Sequence, residues 1–229
     1  MNITLSPRLQ KIADYVPEQH RIIDVGTDHA YIPIWLLKTN RSAFATATDI
    51  HAGPLQNADR DAKKYGVSDR LNLLLCDGLS ACEPDVAESI IIAGMGGETI
   101  ISILSAAPWA LDKRLILQPQ SKFRELWQWL ADRNMCIADA SLVRDAGRIY
   151  QVWLVERGEM RNYQIVAPVY LEKHDPLLPD YIEGLIKTYK KQVHGMMQST
   201  QADPDILAQL QNGLNELNTI KNEVSLWQT

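Results

Sequence analysis

Cysteine occurs three times in 229 residues, at Cys76, Cys82 and Cys136, an odd number with no CxxC pair. That scarcity argues against a disulfide framework and against a zinc site, so reduced core thiols and no metal are expected. No run of about 18 apolar residues occurs, so no membrane span is expected. The opening MNITLSPRLQ has neither a basic region nor an apolar core of the kind found in secretory leaders. A cytoplasmic protein that does not engage membranes is the expectation. Excess positive charge is lacking as well: the net charge is −5, which argues against a strongly cationic coat for nucleic acid. A local basic patch stays open, because Arg144, Arg148, Arg157 and Arg161 gather in the one stretch of the chain that is not acidic.

What is present alternates between strand and helix. Ser6 before Pro7 reads as an N-cap with proline at the first helical position, and Leu9, Ile12, Ala13 and Val16 follow at helical spacing up to about Pro17. Short apolar runs come next at RIIDV, AFATATDI, LNLLLCD, SIIIAG and RLILQPQ, with helical stretches between them such as Pro54 to Tyr65 and Lys122 to Leu130. Five buried strands separated by helices predict a parallel α/β sheet covered on both faces. SLVRD and IYQVWLVE, joined around Ala146 and Gly147, predict a terminal antiparallel hairpin. Five parallel strands plus a hairpin suit a methyltransferase sheet, whereas six parallel strands suit a dinucleotide dehydrogenase.

Residues 1–160 are expected to form this domain, and 161–229 a linker and a helical hairpin. The segment YQIVAPVYLEKHDPLLP carries three prolines and no periodicity. Ile182, Ile186, Tyr189, Val193 and Met196 then recur at helical steps, as do Leu207, Leu210, Leu214, Leu217, Ile220 and Val224, with QSTQADPD between the two series. An antiparallel coiled-coil hairpin is expected. Its apolar seam packs on itself or on the main domain, or presents an arm to a large substrate.

Candidate chemistry lies at the strand ends, where open α/β sheets bind ligands. No GxGxxG follows the first strand. Instead DVGTDHAYIP places Asp24 and Asp28 on either side of Gly26. Acids there repel a pyrophosphate but suit an amino group and a sulfonium, the two cations of S-adenosylmethionine. Gly26 permits a sharp turn and close approach to a ligand. Asp49 closes the second strand, placed for ribose hydroxyls, and Asp77 closes the third, placed for an adenine amine. The fourth runs into AGMGGET, where Gly94, Gly96 and Gly97 expose backbone and Met95 offers an apolar surface to a planar ring. Thr27, His29, Ile50, Gly78 and Ala93 adjoin these positions and complete the candidate cofactor set.

The motifs LSPRL, DVGTDHAYIPI, TDIHAGP, CDGL, IAGMGGETI and LILQPQ, in that order, resemble the bacterial tRNA (adenine-22-N1)-methyltransferases. The likeness covers residues 3–155 by motif and extends to the hairpin by architecture. It implies a Rossmann-like class I methyltransferase domain that binds S-adenosylmethionine, a C-terminal coiled-coil hairpin that helps hold tRNA, and methylation of N1 of adenine 22. For that target atom Asp28 is the catalytic candidate, as an acceptor for the adenine N6 amine or as a proton acceptor, with His29 and Tyr31 shaping the base pocket. Tyr31 either stacks on the base or packs under the first helix. Arg8, Gln120, Lys122, Arg124 and Arg148 are the remaining substrate-binding candidates. Gln120 stands where asparagine is expected and Trp127 where arginine is expected, with Arg124 one turn earlier as a replacement. AGMGGET lacks the Asn/Asp-Pro-Pro-aromatic motif of exocyclic-amine methyltransferases, which favours a ring nitrogen. From the residues alone, a small-molecule methyltransferase and a non-catalytic tRNA-binding protein remain alternatives, and a dehydrogenase ranks third.

Overall fold

The structure, a computed structural model, describes residues 3–160, 162–198 and 203–228; Arg161 and part of the QSTQADPD turn lie outside them. Two compact units divide the chain, Met1–Asn162 and Tyr163–Thr229.

The first unit is a seven-stranded sheet in the order β3-β2-β1-β4-β5-β7-β6. Its strands are β1 (Ile22–Val25), β2 (Ala45–Asp49), β3 (Leu71–Leu75), β4 (Ser89–Met95), β5 (Arg114–Pro119), β6 (Met135–Asp145) and β7 (Arg148–Arg157). β1 to β5 are mutually parallel, and β7 joins antiparallel between β5 and β6. The expected five-plus-hairpin architecture is therefore present. Ala146 and Gly147 turn the hairpin with φ of 45° and 76°, the pair of positive values that a two-residue turn of matching twist requires. β6 begins earlier than SLVRD because a bulge between Ile137 and Asp139 lets Met135 and Cys136 keep pairing.

Central strands are buried on both faces, so Ile22, Ile23, Ile90, Ile91, Ile92, Leu115, Ile116 and Leu117 are fully excluded from water. Each such side chain contributes about 1.5–3 kcal/mol. Helices α1 (Pro7–Asp14), α2 (Tyr31–Lys38), α3 (Ala52–Tyr65), α4 (Gly97–Ala106) and α5 (Phe123–Ala131) cover the faces. β1 lies between β2 and β4, so the chain runs outward to β3 and then returns across β1. That reversal opens a crevice at the carboxyl ends of β1 and β4.

Ser6 does not cap α1 with its own side chain. Its hydroxyl instead donates to Asp145 Oδ2 at 2.6 Å, and the same oxygen accepts the Arg8 N–H at 3.4 Å. A carboxylate from the far end of β6 thus satisfies the helix start, where negative charge is favourable. Trp127 is core: it meets the fully buried Trp153 edge-on at 6.2 Å, and Phe123 tilts onto Trp153 at 6.1 Å.

In the second unit the proline-rich stretch is not an open linker. It holds α6 (Pro168–Glu172) and buries Ile165, Val166, Ala167 and Tyr170, the last edge-on to Tyr181. α7 (Leu178–Gln198) and α8 (Pro204–Ser225) pack against each other, with Lys221 Nζ 3.0 Å from Glu183 Oε1. Asp203 caps α8 by accepting from the N–H groups of Asp205 and Ile206.

Replacing Trp153 by alanine removes the ring that both Phe123 and Trp127 contact. Trp153→Ala is expected to destabilise the first unit by about 3–5 kcal/mol. The shift of the urea midpoint of its unfolding transition checks this.

Candidate active site

Two adjoining lobes form the crevice. Val25, Gly26, Ala93 and Gly94, the ends of β1 and β4, line both. The first lobe, about 460 Å³, adds Arg8, Asp24, Thr27, Asp28, His29, Tyr31 and Gln120. The second, about 360 Å³, adds Asp49, Ile50, His51, Asp77, Gly78, Met95, Thr99, Ser102 and Ile103. Both volumes suit small-molecule sites, which run ~300–1,000 Å³.

Backbone conformations at the strand ends need their glycines. Gly26 has φ of 73°, and a Cβ there would meet Met95 Cε at 2.1 Å. Gly94 bulges out of β4 with φ of 78°, between residues paired to Gln118 and Pro119. Gly97 differs from its expectation. It is buried rather than exposed, and a Cβ would lie 2.5 Å from the Lys122 carbonyl, so it serves the close packing of α4 on the β5–α5 loop. Gly97 N–H also donates to the Ser121 carbonyl at 2.9 Å.

The four acids lack protein cations: among the described residues none of Asp24, Asp28, Asp49 and Asp77 forms an ion pair with lysine or arginine. Asp24 is buried, and desolvation pushes its carboxyl up from 3.8 to about 7, against a hydrogen bond from Thr27 that lowers it. Asp28 is at the other extreme, with its side chain 80% exposed and His29 Nε2 at 3.7 Å. Asp49 Oδ1 accepts the His51 N–H at 2.7 Å, a local turn that holds the carboxylate at the end of β2. Thr48, fully buried, donates to the Gly78 carbonyl at 2.8 Å and pins the turn that carries Asp77.

Among the described residues, Arg8 is the one lysine or arginine that lines either lobe. Its Nη1 donates to the buried Gln118 Oε1 at 2.9 Å, its guanidinium lies 5.1 Å from the Tyr150 ring centre, and Asp145 is 3.9 Å from Nε. The side chain is held by β5, β6 and β7 at once. Tyr31 is not packed away under α1: it is 42% exposed and its ring stacks on His29, 5.0 Å apart and 4° from parallel.

The chemistry of this donor set is acceptor-rich and apolar in turn. The first lobe offers carboxylates to a cation, and the second offers ribose-type acceptors beside Ile50, 59% exposed, and Met95.

A family model described as a methyltransferase domain matches residues 5–153. The tRNA (adenine(22)-N(1))-methyltransferase of Bacillus subtilis is 34% identical over 159 residues, 69% of this chain and 67% of that protein. The chain belongs to the bacterial tRNA (adenine-22-N1)-methyltransferase family. The crystal structure of the B. subtilis m1A22 tRNA methyltransferase matches with a TM-score of 0.85 at 25% identity, covering 96% of this chain and 100% of that one. A Streptococcus pneumoniae protein solved in complex with S-adenosyl-L-methionine matches with a TM-score of 0.78 at 27% identity, covering 95% and 100%.

Every cofactor-site candidate of this family member (Asp24, Gly26, Thr27, His29, Asp49, Ile50, Asp77, Gly78, Ala93, Gly94 and Met95) lines one lobe or the other. Of the substrate candidates, Arg8, Tyr31 and Gln120 line the first lobe and Lys122, Arg124 and Arg148 do not. Lys122 is engaged by Glu125 at 3.0 Å and Glu98 at 3.3 Å, and these carboxylates push its pKa up. Arg124 is exposed on α5, and Arg148 is exposed beside Asp145 at the hairpin turn.

The sequence reading did not single out Thr99, Ser102 and Ile103, Thr48, Gln118 or Asp61. The first three share one face of α4 at i, i+3 and i+4, a signal readable directly after AGMGG. Thr48, Gln118 and Asp61 act through contacts 30 or more residues away and carry no local mark.

Between pH 3.8 and about 7 the folded protein holds a proton on Asp24 that the unfolded chain has released. This group's contribution to stability is full below that window and is lost as pH rises through it. Asp24→Asn is expected to melt at least ~3 °C above the parent at pH 8 without ligand. The difference should vanish near pH 4, as scanning calorimetry at both pH values would show.

Proposed function

We infer that this chain transfers a methyl group from S-adenosylmethionine to N1 of adenine 22 in tRNA, in the cytoplasm. The observation that carries the reading is the set of strand-end carboxylates without protein cations, in a member of this family. S-adenosylmethionine supplies an electrophilic methyl group beside a sulfonium and an amino group, and a crevice whose acids await positive charge fits it. Asp24, with Gly26 and Thr27, takes the amino-acid end in the first lobe. Asp49 accepts from the ribose hydroxyls, and Asp77 accepts from the adenine amine of the cofactor between Ile50 and Met95.

The target atom limits what the protein must do. Adenine N1 owns a lone pair in its neutral form, so no proton has to leave before attack, and alignment supplies much of the rate. In duplex RNA that lone pair faces a pairing partner, so the base must leave its stack to enter the first lobe. Tyr31, exposed and already parallel to His29, provides a face for it. Methylation makes the ring cationic. Asp28, accepting from the N6 amine at the lobe's open side, favours the charge as it develops. Arg8, fixed by Gln118, Tyr150 and Asp145, and Gln120 beside Gly94 hold the flanking nucleotide.

In the second unit, Lys187, Lys190 and Lys191 are exposed at i, i+3 and i+4 on α7, one face of the hairpin. They provide phosphate contacts to the body of the tRNA.

Mass spectrometry of nucleosides from an unmodified tRNA transcript incubated with protein and methyl donor is expected to show 1-methyladenosine at position 22. None should form on a transcript with guanine there. Asp28→Ala should lower kcat by about 100-fold, in the range of a lost charge-stabilising group, with cofactor affinity kept. Full transfer by that variant would remove Asp28 from its role. Reversing Lys187, Lys190 and Lys191 to glutamate should weaken tRNA binding and flatten the dependence of log Kd on log salt by about 2–3. Filter binding across a salt series measures it.

A further inference from the structure

Asp61 lies on α3, outside both lobes, yet its carboxylate reaches the active site through another residue. Its side chain is 13% exposed, and its Oδ2 lies 2.9 Å from His29 Nδ1. Ala58 and Ala62, both buried, seat α3 in the core on either side of it. Among the described residues no lysine or arginine pairs with Asp61, so the imidazole is the group that offsets its desolvation.

Chemistry fixes the direction of that bond. An ionised carboxylate only accepts, so Nδ1 carries the hydrogen, and in a neutral ring Nε2 is then the lone-pair nitrogen. Nε2 lies 3.7 Å from Asp28 Oδ2. Two acceptors at that separation can share one N–H hydrogen placed between them. The same bond also holds the imidazole plane against which Tyr31 stacks, 4° from parallel. One buried carboxylate thereby sets a hydrogen-bonding edge and an aromatic face of the lobe.

We propose that Asp61 is a positioning residue for methyl transfer: by holding His29 through Nδ1 it aims Nε2, together with Asp28, at the exocyclic amine of the target adenine and fixes the Tyr31 ring beneath the base. This rests on the reading that the first lobe takes that base. Asp61 touches neither substrate nor cofactor, and its effect passes through His29 alone.

A double-mutant cycle on the full-length protein, with single-turnover transfer to tRNA as readout, tests it. Asp61→Ala is expected to lower the rate at saturating substrates by at least 10-fold while KM for S-adenosylmethionine changes less than 2-fold. Asp61→Asn, which still presents an oxygen to Nδ1–H, should recover most of that loss. In a His29→Ala background Asp61→Ala should cost less than a further 2-fold. Effects that multiply, or an asparagine variant as slow as alanine, would overturn the proposal in favour of a structural role. Nitrogen-15 spectra of histidine-labelled parent protein at pH 8 provide an arm that needs neither turnover nor a folded variant. The Nδ1–H tautomer of His29 is expected, and the Nε2–H tautomer would overturn the assignment. Should the parent protein show the Nδ1–H tautomer yet methylate no position 22, the functional reading falls while the Asp61–His29 coupling stands.

Discussion

A carboxylate taken out of water with no cation beside it is an expensive thing for a fold to keep, and among the described residues this sheet keeps several acids at one edge without lysine or arginine partners. Asp24 bears the cost most clearly, since burial at the end of β1 drives its carboxyl to about 7. The strand order makes this possible. Because β1 is flanked by β2 on one side and β4 on the other, the connections leaving β1 and β4 diverge, and a crevice opens at their carboxyl ends. A cation placed beside Asp24 would favour its ionised form, which burial disfavours.

Around those acids the packing is arranged to hold backbone, not to fill space. Met95 lies across Gly26 where any side chain would collide, Thr48 ties down the Gly78 turn, and Gly97 lets the β5–α5 loop press against the start of α4. Asp145 does the corresponding work for α1, since the acid that accepts from Ser6 and Arg8 also steadies the Arg8 guanidinium at the rim of the first lobe. Stability and site geometry therefore share the same contacts at the hairpin end of β6. Asp61 and His29 extend that logic to the opposite wall, where a helix from the sheet's other flank supplies the group that orients an imidazole.

Much of this was legible in order of residues. Strand ends marked by Asp24, Asp49 and Asp77 all reached the crevice, as did the AGM of the fourth strand, because a parallel sheet with buried strands puts every carboxyl end on one edge. Legibility failed where a residue's surroundings come from a distant segment. Tyr31 follows a left-handed Ala30 that turns it outward to His29, so its helical position misrepresented its exposure. Lys122 carries no sign in its local sequence of the Glu98 carboxylate, on a different helix, that lies 3.3 Å from it. Trp127, in place of an expected arginine, became a partner for Trp153 across a helix and a strand, and Gly97 proved to be a packing glycine for the same kind of reason.

Sequence by itself determined most of the local facts: the five parallel strands and the helices between them, which acids end strands, where glycines permit positive φ, and the two amphipathic helices of the second unit. These follow from periodicity of two or 3.6 residues and from backbone sterics, which act over a few neighbours. Tertiary structure alone decided which charges stay unmatched, which side chain aims an imidazole and which carboxylate satisfies the start of the first helix, since burial, desolvation and hydrogen-bond partnership depend on groups brought together from far apart in the chain.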